Sequence, residues 1–236
     1  MRSFRIRKRW PLAVAAVIFL LLAAFLVGYF RIRAQRSSAL TEQDTLVLAD
    51  FNNTTGEAIF DGTLKQALRV QLEQSPFLNV LSDQKTKQML SFMGRPRDTR
   101  LTVGIAREVC LRTGSKAFVS GSISSLGSHY VVLLQVVNCQ TGEEVGSEET
   151  EAESREKVLQ ALGKSATKLR SRLGESLATI HQYDTPVEAT TASLDALQAY
   201  SLAMEVTGAE SEHTAIAFLK HAIDIDPPRG QWYPLR

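Results

Sequence analysis

The carboxylates of Asp50 and Asp61 are the side chains best placed for chemistry in this sequence. They flank a loop rich in Asn, Thr and Gly, and two carboxylates beside one pocket can act as general acid and general base. The alternative is structural, because the pair Asp61-Gly62 is typical of a turn and a helix cap. We favour the structural interpretation and therefore predict no catalytic residue.

Two cysteines, Cys110 and Cys139, are the only ones in the chain. In a domain outside the cytoplasm, an even pair is a candidate disulfide. Closing a loop of this length stabilises the folded state by about 3.5 kcal/mol in the chain-entropy treatment. The alternative is a pair of reduced, buried cysteines that behave as small hydrophobic residues. No C-x-x-C motif is present, so redox catalysis is not expected.

Histidine spacing gives no indication of a metal or cofactor. The four histidines are His129, His181, His213 and His221. None has another histidine three or four positions away, and none neighbours a cysteine at metal-ligand spacing. The sequence also contains no G-x-S-x-G elbow and none of the kinase motifs G-x-G-x-x-G, V-A-I-K, H-R-D or D-F-G. We predict no metal, no cofactor and no enzymatic activity.

An apolar run at residues 10–30 is typical of a membrane span. Residues 11–30 are twenty residues without a charge, which as a helix measure about 30 Å, the thickness of a bilayer core. Trp10 and Tyr29 lie near its two ends, where amphipathic aromatic side chains favour the headgroup region. The alternative is a cleaved signal peptide with a site at Ser-Ser-Ala 37–39. The length of the run and the three arginines that follow it favour the span.

Charges on either side of this run predict its orientation. Residues 1–9 hold five cations and residues 31–36 hold three. The more basic side stays in the cytoplasm, so we expect a cytoplasmic tail at 1–9, a single pass through the bacterial inner membrane, and residues 37–236 outside. Subtracting those eight cations from the 27 Lys and Arg leaves 19 against 25 acids, about −6. Such a charge predicts no binding to nucleic acid.

Beyond a linker at 31–44, apolar patterns indicate an α/β domain at 45–182. The predicted order is β-α-β-α-α-β-β-β-α with a mixed sheet. The run 131–137 is apolar at alternating positions on both faces, which predicts a strand covered on both sides. The glutamate-rich run 143–151 suits a sheet edge. Apolar residues from Val158 to Ile180 step by three or four, which indicates an amphipathic helix.

A second linker at 183–192 is followed by two predicted helices at 193–227. They resemble one tetratricopeptide repeat at the following positions: Ala196, Ala199, Tyr200 and Ala203, then Ala215, Phe218, Ala222, Asp226 and Pro227. An ordinary helical hairpin is the alternative. Such repeats normally stack in arrays of three or more, but residues 228–236 show no helical pattern. The chain therefore looks cut short, and we expect 183–236 to be the least stable part of the region outside the membrane.

The α/β domain resembles the TolB-amino-terminal-like domain, related to FlgO and CsgG-type envelope domains. The residues that carry the resemblance are 50–53 (Asp-Phe-Asn-Asn), 60–62 (Phe-Asp-Gly), Leu64, Leu68, Leu72, 77–82 (Phe-Leu-Asn-Val-Leu-Ser) and 136–143 (Val-Val-Asn-Cys-Gln-Thr-Gly-Glu). A basic anchor, this domain and a tetratricopeptide repeat, in that order, are similar to the extracytoplasmic region of bacterial membrane-bound serine/threonine kinases. The kinase domain itself is absent from this sequence.

This resemblance implies a non-enzymatic, membrane-anchored binding or sensor module of a signalling receptor, with a protein or peptide as partner. One alternative is a structural component of envelope or secretion assembly, like the CsgG and FlgO group. Another is an unrecognised hydrolase. The sequence leaves the binding residues and the oligomeric state open.

Overall fold

The computed structural model describes residues 44–186, 191, 193–206 and 212–227. The elements in chain order are β1 Thr45–Leu48, β2 Asn52–Asn53, α1 Thr63–Glu73, β3 Asn79–Val80, α2 Asp83–Phe92, α3 Val103–Thr113, β4 Ala117–Leu126, β5 His129–Asn138, β6 Glu144–Ala152, α4 Val158–Arg172, α5 Leu177–Tyr183, α6 Leu194–Glu205 and α7 Glu212–Ile225. Short 3-10 turns at Ala58–Phe60 and Arg155–Lys157 precede α1 and α4.

The predicted membrane span lies outside the described residues, as do the tail at 1–9 and the irregular segment at 228–236. Within the described part of the chain, no helix combines the length and the apolar character that crossing a bilayer requires. All the described residues belong to one compact unit.

The sheet is mixed, as predicted, with strand order β3-β1-β4-β5-β6. Strand β1 runs parallel to β3 and β4, and β2 extends this part by pairing with β4. Strands β4, β5 and β6 form an antiparallel meander. The side chain of Asn138 and a left-handed Gly142 shape its second turn, because Asn138 Oδ1 accepts the N–H groups of Gln140 and Thr141. Strand β6 lies at the edge, as expected.

Helices cover the sheet unequally. On one face, α1 and α4 pack against buried residues such as Leu46, Val119 and Leu134 to form the larger core. On the other face, α2 and α3 form a smaller core with Phe118. Strand β5 was expected to be covered on both sides, but Val131 and Leu133 are only partly buried. The reason is that α3 packs on β1 and β4 and leaves this face of β5 less covered.

The apolar stripe from Val158 to Ile180 forms two helices instead of one. Helix α4 ends at Arg172, and Gly174 follows with a φ of 107°, a conformation that suits glycine. Ser176 then caps α5 by accepting the N–H of Thr179 at 3.1 Å. The apolar spacing continues across the break because both helices bury residues against the same domain.

Among the described residues, the two C-terminal helices pack on each other, and only the first is docked on the α/β domain. Leu194 and Leu197 of α6 belong to the larger core, and α6 packs on α1. Helix α7 packs on α6, and none of its described residues is buried. The linker predicted at 183–192 is also attached at its start, since Thr185 donates to and accepts from the side-chain amide of Gln74 at 2.7 and 2.9 Å.

Candidate functional site

Strand β1 is the point in the sheet from which successive connections lead to opposite sides. It leaves β1 through α1 to reach β3 on one side, then returns through α2 and α3 to β4 on the other side. Helix α1 therefore covers one face, α2 and α3 cover the other, and the two layers separate at the carboxyl end of β1. In open α/β sheets such a point forms a crevice that binds ligands. Here a cleft of about 680 Å³ lies at this position.

This cleft, called the crevice below, is lined by charged residues of both signs. Its acidic residues are Asp50, Asp61, Asp83, Asp98 and Glu205, and its basic residues are Lys65, Arg69, Lys87, Arg97 and Arg100. They come from the segment after β1, from α1 and α2, from the loop before α3 and from the end of α6. The crevice therefore combines charges of both signs that are contributed by several separate elements.

Asp50, the first of the two candidate carboxylates, is held on both oxygens. Its Oδ1 lies 2.5 Å from Nζ of Lys65, and its Oδ2 accepts the backbone N–H of Leu101 at 2.5 Å. The backbone N–H of Asp50 donates in return to the carbonyl oxygen of Leu101 at 2.9 Å. This carboxylate connects the two helical layers across the end of β1, which is a positioning role.

Asp61, the second candidate, takes part in the turn before α1. Its Oδ1 accepts from Nδ2 of Asn53 at 3.1 Å. The helix cap is Gly62, with a φ of 72° and no side-chain capping bond. A Cβ atom on Gly62 would lie 2.7 Å from Oε1 of Glu205, so glycine here lets the end of α6 approach α1. The structural interpretation of Asp61-Gly62 as a turn describes this geometry; the capping residue is the glycine.

Arginines in the crevice divide into paired and unpaired groups. Arg69 has a side chain only 9% exposed and lies 2.5 Å from Oδ1 of Asp83. Arg100 donates to the carbonyl oxygen of Phe51 at 2.6 Å, and Arg97 donates to Oγ of Ser91 at 3.2 Å. Among the described residues, neither Arg97 nor Arg100 has a carboxylate within ion-pair distance. These two guanidinium groups remain able to bind an anionic group.

At the opposite end of α1, a second charged cluster is closed to solvent. The side chains of Arg170 and Glu175 are both 0% exposed and form two hydrogen bonds of 2.8 Å. Ser75 donates to Glu175 at 2.6 Å, and Arg170 also lies 3.1 Å from Asp184. This buried cluster fastens the segment from α4 to α5 onto the end of α1.

Burial alone raises the pKa of Glu175, but hydrogen bonds from Arg170 and Ser75, together with the Arg170 charge, hold this pKa below its usual value. A carboxyl group with a lowered folded-state pKa stabilises the protein above its unfolded-state pKa. That contribution is lost as the pH falls through the folded-state value. The buried cluster therefore favours a protein that is stable near neutral pH.

The two cysteines lie close together in the smaller core. Cys110 is in the last turn of α3, Cys139 follows β5, and both are 0% exposed. Their Cα atoms are 6.1 Å apart and their sulfur atoms are at bonding distance. This separation is within the range of disulfides. The geometry permits the bond, and its formation in the cell remains a prediction.

The histidines do not converge on a common site. His129 lies 2.5 Å from Oε1 of Glu151 across the end of β5 and β6, and His213 and His221 are on α7. Within the described ranges, no group of three or more His, Cys, Asp or Glu residues is arranged to hold a metal ion.

Sequence reasoning identified Asp50 and Asp61 but missed the rest of the crevice. Lys65, Arg97 and Arg100 lie in an apolar-patterned helix and in a loop, where charged residues usually face solvent. The available signal was topological, because residues after β1 and before α3 must meet if β1 is the strand where the connections diverge.

No protein-family profile and no curated protein sequence matches the chain. Solved structures do match. The C-terminal domain of LpoB from Salmonella enterica is 19% identical with a TM-score of 0.45, covering 51% of this chain and 92% of its own. Lipoprotein GNA1162 from Neisseria meningitidis is 13% identical with a TM-score of 0.41, covering 56% and 98%.

TolB from Acinetobacter baumannii is 15% identical with a TM-score of 0.39, covering 58% of this chain and 30% of its own. All three are similar to this chain in the course of an α/β fold. At such low identities and TM-scores, they carry no functional argument.

Proposed function

We propose that this chain is a non-enzymatic binding module whose crevice recognises an acidic segment of a protein or peptide partner. The observation that carries the proposal is the position of Arg97 and Arg100. Both line the crevice at the carboxyl end of β1, and both lack a carboxylate partner among the described residues. A guanidinium group presents a planar fork of N–H donors that suits a carboxylate.

The state of Asp50 supports binding over catalysis. A general base needs an oxygen free to take a proton from a substrate. Both oxygens of Asp50 are instead engaged, one by Lys65 and one by the Leu101 N–H. Its fixed position keeps the layers of the crevice in place, which is a supporting role for a binding surface.

The cellular setting is part of the proposal and follows from the sequence. We propose that residues 10–30 anchor the chain in the bacterial inner membrane, with 1–9 in the cytoplasm and the α/β domain outside. The resemblance to receptor-type serine/threonine kinases gives the module a signalling role, with α6 and α7 as a tetratricopeptide-like pair. A reporter fused after Arg236 should be active if it works only outside the cytoplasm; activity of a cytoplasm-only reporter would refute the orientation.

Site-specific photo-crosslinking in cells tests the crevice. A photoreactive amino acid at exposed Asp98, inside the crevice, should give an adduct with a partner. The same amino acid at exposed Lys164, on α4, serves as the control position. We expect an adduct from position 98 alone, lost when Arg97→Glu is added. An adduct that persists with Arg97→Glu, or equal adducts at both positions, would contradict the proposal. Adducts between copies of this chain would instead favour an envelope assembly component.

A further inference from the structure

Strand β6 is a nine-residue sheet edge that pairs on one side only. It runs from Glu144 to Ala152 and bonds to β5 in register from Tyr130 to Val137. No other described strand pairs with it. Its outer backbone N–H and C=O groups therefore form a ladder that an added strand can extend.

The side chains of β6 make pairing between two copies unfavourable. Glu144, Glu149 and Glu151 are exposed. In an antiparallel pairing of two β6 edges that places Glu149 opposite Glu151 of the second copy, like charges would face one another, which is destabilising. The edge is therefore built against a second copy of the chain and in favour of a basic strand.

The alternation of side chains along β6 shows on which face an added strand needs its basic residues. Glu149 and Glu151 are two residues apart and share the face on which Val131 and Leu133 are only partly buried. Glu148 is on the opposite face, where Arg172 already pairs with it. The face with Glu149 and Glu151 thus presents carboxylates without a Lys or Arg partner among the described residues, next to apolar surface. His129 contacts Glu151.

We propose that β6 binds an extended segment of a partner protein by strand addition, with Lys or Arg at alternate positions facing Glu149 and Glu151. This surface is separate from the crevice, and the proposal does not depend on the proposed crevice function. Backbone hydrogen bonds hold the segment, and alternating cation–carboxylate pairs fix which of its faces points to which side of the sheet.

The probe is a ten-residue, end-capped peptide of alternating Lys and Val, with a fluorescent label, titrated against the full chain in neutral detergent micelles. Two further peptides carry N-methyl groups on alternate amides, one on the Lys set and one on the Val set. All three have the same charge. The lysines must lie on the face of Glu149 and Glu151. In a strand fixed in this way, the amides of alternate residues point to opposite edges, so only one of the two sets points at β6. We expect that methylating this set weakens binding at least tenfold, while the other peptide binds within about threefold of the parent.

Charge-reversal variants give the protein side of the test. Glu149→Lys with Glu151→Lys should weaken binding of the parent peptide at least tenfold. Glu212→Lys with Asp224→Lys on α7 makes the same change in net charge at exposed positions elsewhere and should leave binding within about twofold.

Equal binding of all three peptides would show plain electrostatic attraction and overturn the proposal. Absence of binding by the parent peptide would also overturn it, because the glutamates would then serve only to block association at the edge. The methylated peptides are measured on the unmodified chain, so this result stands even if the charge-reversal variant fails to fold.

Discussion

Helix α1 connects two charged clusters that use the same chemistry and differ in their exposure to water. Near its beginning, the side chains of Lys65 and Asp50 are 20% and 27% exposed in the crevice. Beyond its end, those of Arg170 and Glu175 are 0% exposed. An ion pair in contact with water contributes little to stability, whereas breaking a buried one leaves an unpaired charge in the interior. The buried cluster therefore fixes the fold, and the crevice keeps charges available for a partner.

The largest effect is expected from Arg170→Ala. Glu175 would keep its hydrogen bond from Ser75 but lose both bonds and the charge of the guanidinium group. We expect the free energy of unfolding to fall by about 3–5 kcal/mol, measured by urea denaturation. As a control, Arg170→Met combined with Glu175→Leu removes both charges and should recover most of the loss. A loss below about 1 kcal/mol for Arg170→Ala would remove the distinction between the two clusters.

The predicted disulfide between Cys110 and Cys139 is the next largest expected contribution to stability, and it would hold one wall of the crevice in place. Helix α3 begins just after Leu101, which bonds to Asp50, and carries Cys110 in its last turn. Replacing Cys110 and Cys139 by Ala should lower the free energy of unfolding by about 3.5 kcal/mol. Thiol titration of the unfolded, unreduced chain should find no free thiol. Two free thiols in protein recovered from outside the cytoplasm would show that the pair is reduced and that packing alone holds α3.

The C-terminal helix α6 supplies another wall of the crevice. Replacing a leucine by alanine should destabilise the protein more in α6 than in α7. Leu197 of α6 is buried in the larger core, so Leu197→Ala should cost about 2–3 kcal/mol. Leu219 of α7 is only partly buried, and Leu219→Ala should cost less than about 1 kcal/mol. Amide exchange should show α6 protected like α1, with α7 exchanging first. Equal protection of α6 and α7 would contradict this difference.

The different burial of α6 and α7 changes which part of the C-terminal region we expect to be least stable. The spacing of apolar residues identified both helices, but it does not show what each helix packs against. Small residues such as Ala196 and Ala199 suggested contacts within a repeat, whereas α6 is also docked on α1. We therefore expect the least stable described element to be α7 alone instead of the whole region from 183 onward.

Local patterns along the sequence predicted much of the fold but missed most of the site, because they do not show which elements pack together in space. The mixed sheet and the strand at its glutamate-rich edge follow from the apolar and charged patterns along the chain. The break at Gly174 was missed because the apolar stripe continues through it. The pair Arg170–Glu175 was missed because a charged residue in a stripe normally faces solvent, and only the packing of three elements shows otherwise.

The smallest effect on stability is expected from Lys65→Met in the crevice. Methionine keeps the apolar part of the side chain, and Asp50 keeps the Leu101 N–H and its access to water. The free energy of unfolding should therefore change by less than about 1 kcal/mol. Crosslinking from position 98 should become weaker. The reason is that the Asp50 carboxylate, without Lys65, adds negative charge to a surface proposed to bind an acidic segment.

The control is Asp50→Asn with Lys65→Met, which removes both charges while an amide oxygen can still accept the Leu101 N–H. We expect this double variant to crosslink more strongly than Lys65→Met alone, because the added negative charge is gone. A stability loss above about 2 kcal/mol for Lys65→Met would mean that the Asp50–Lys65 pair is as structural as Arg170–Glu175. Unchanged crosslinking in both variants would mean that the partner does not sense the charge of the crevice.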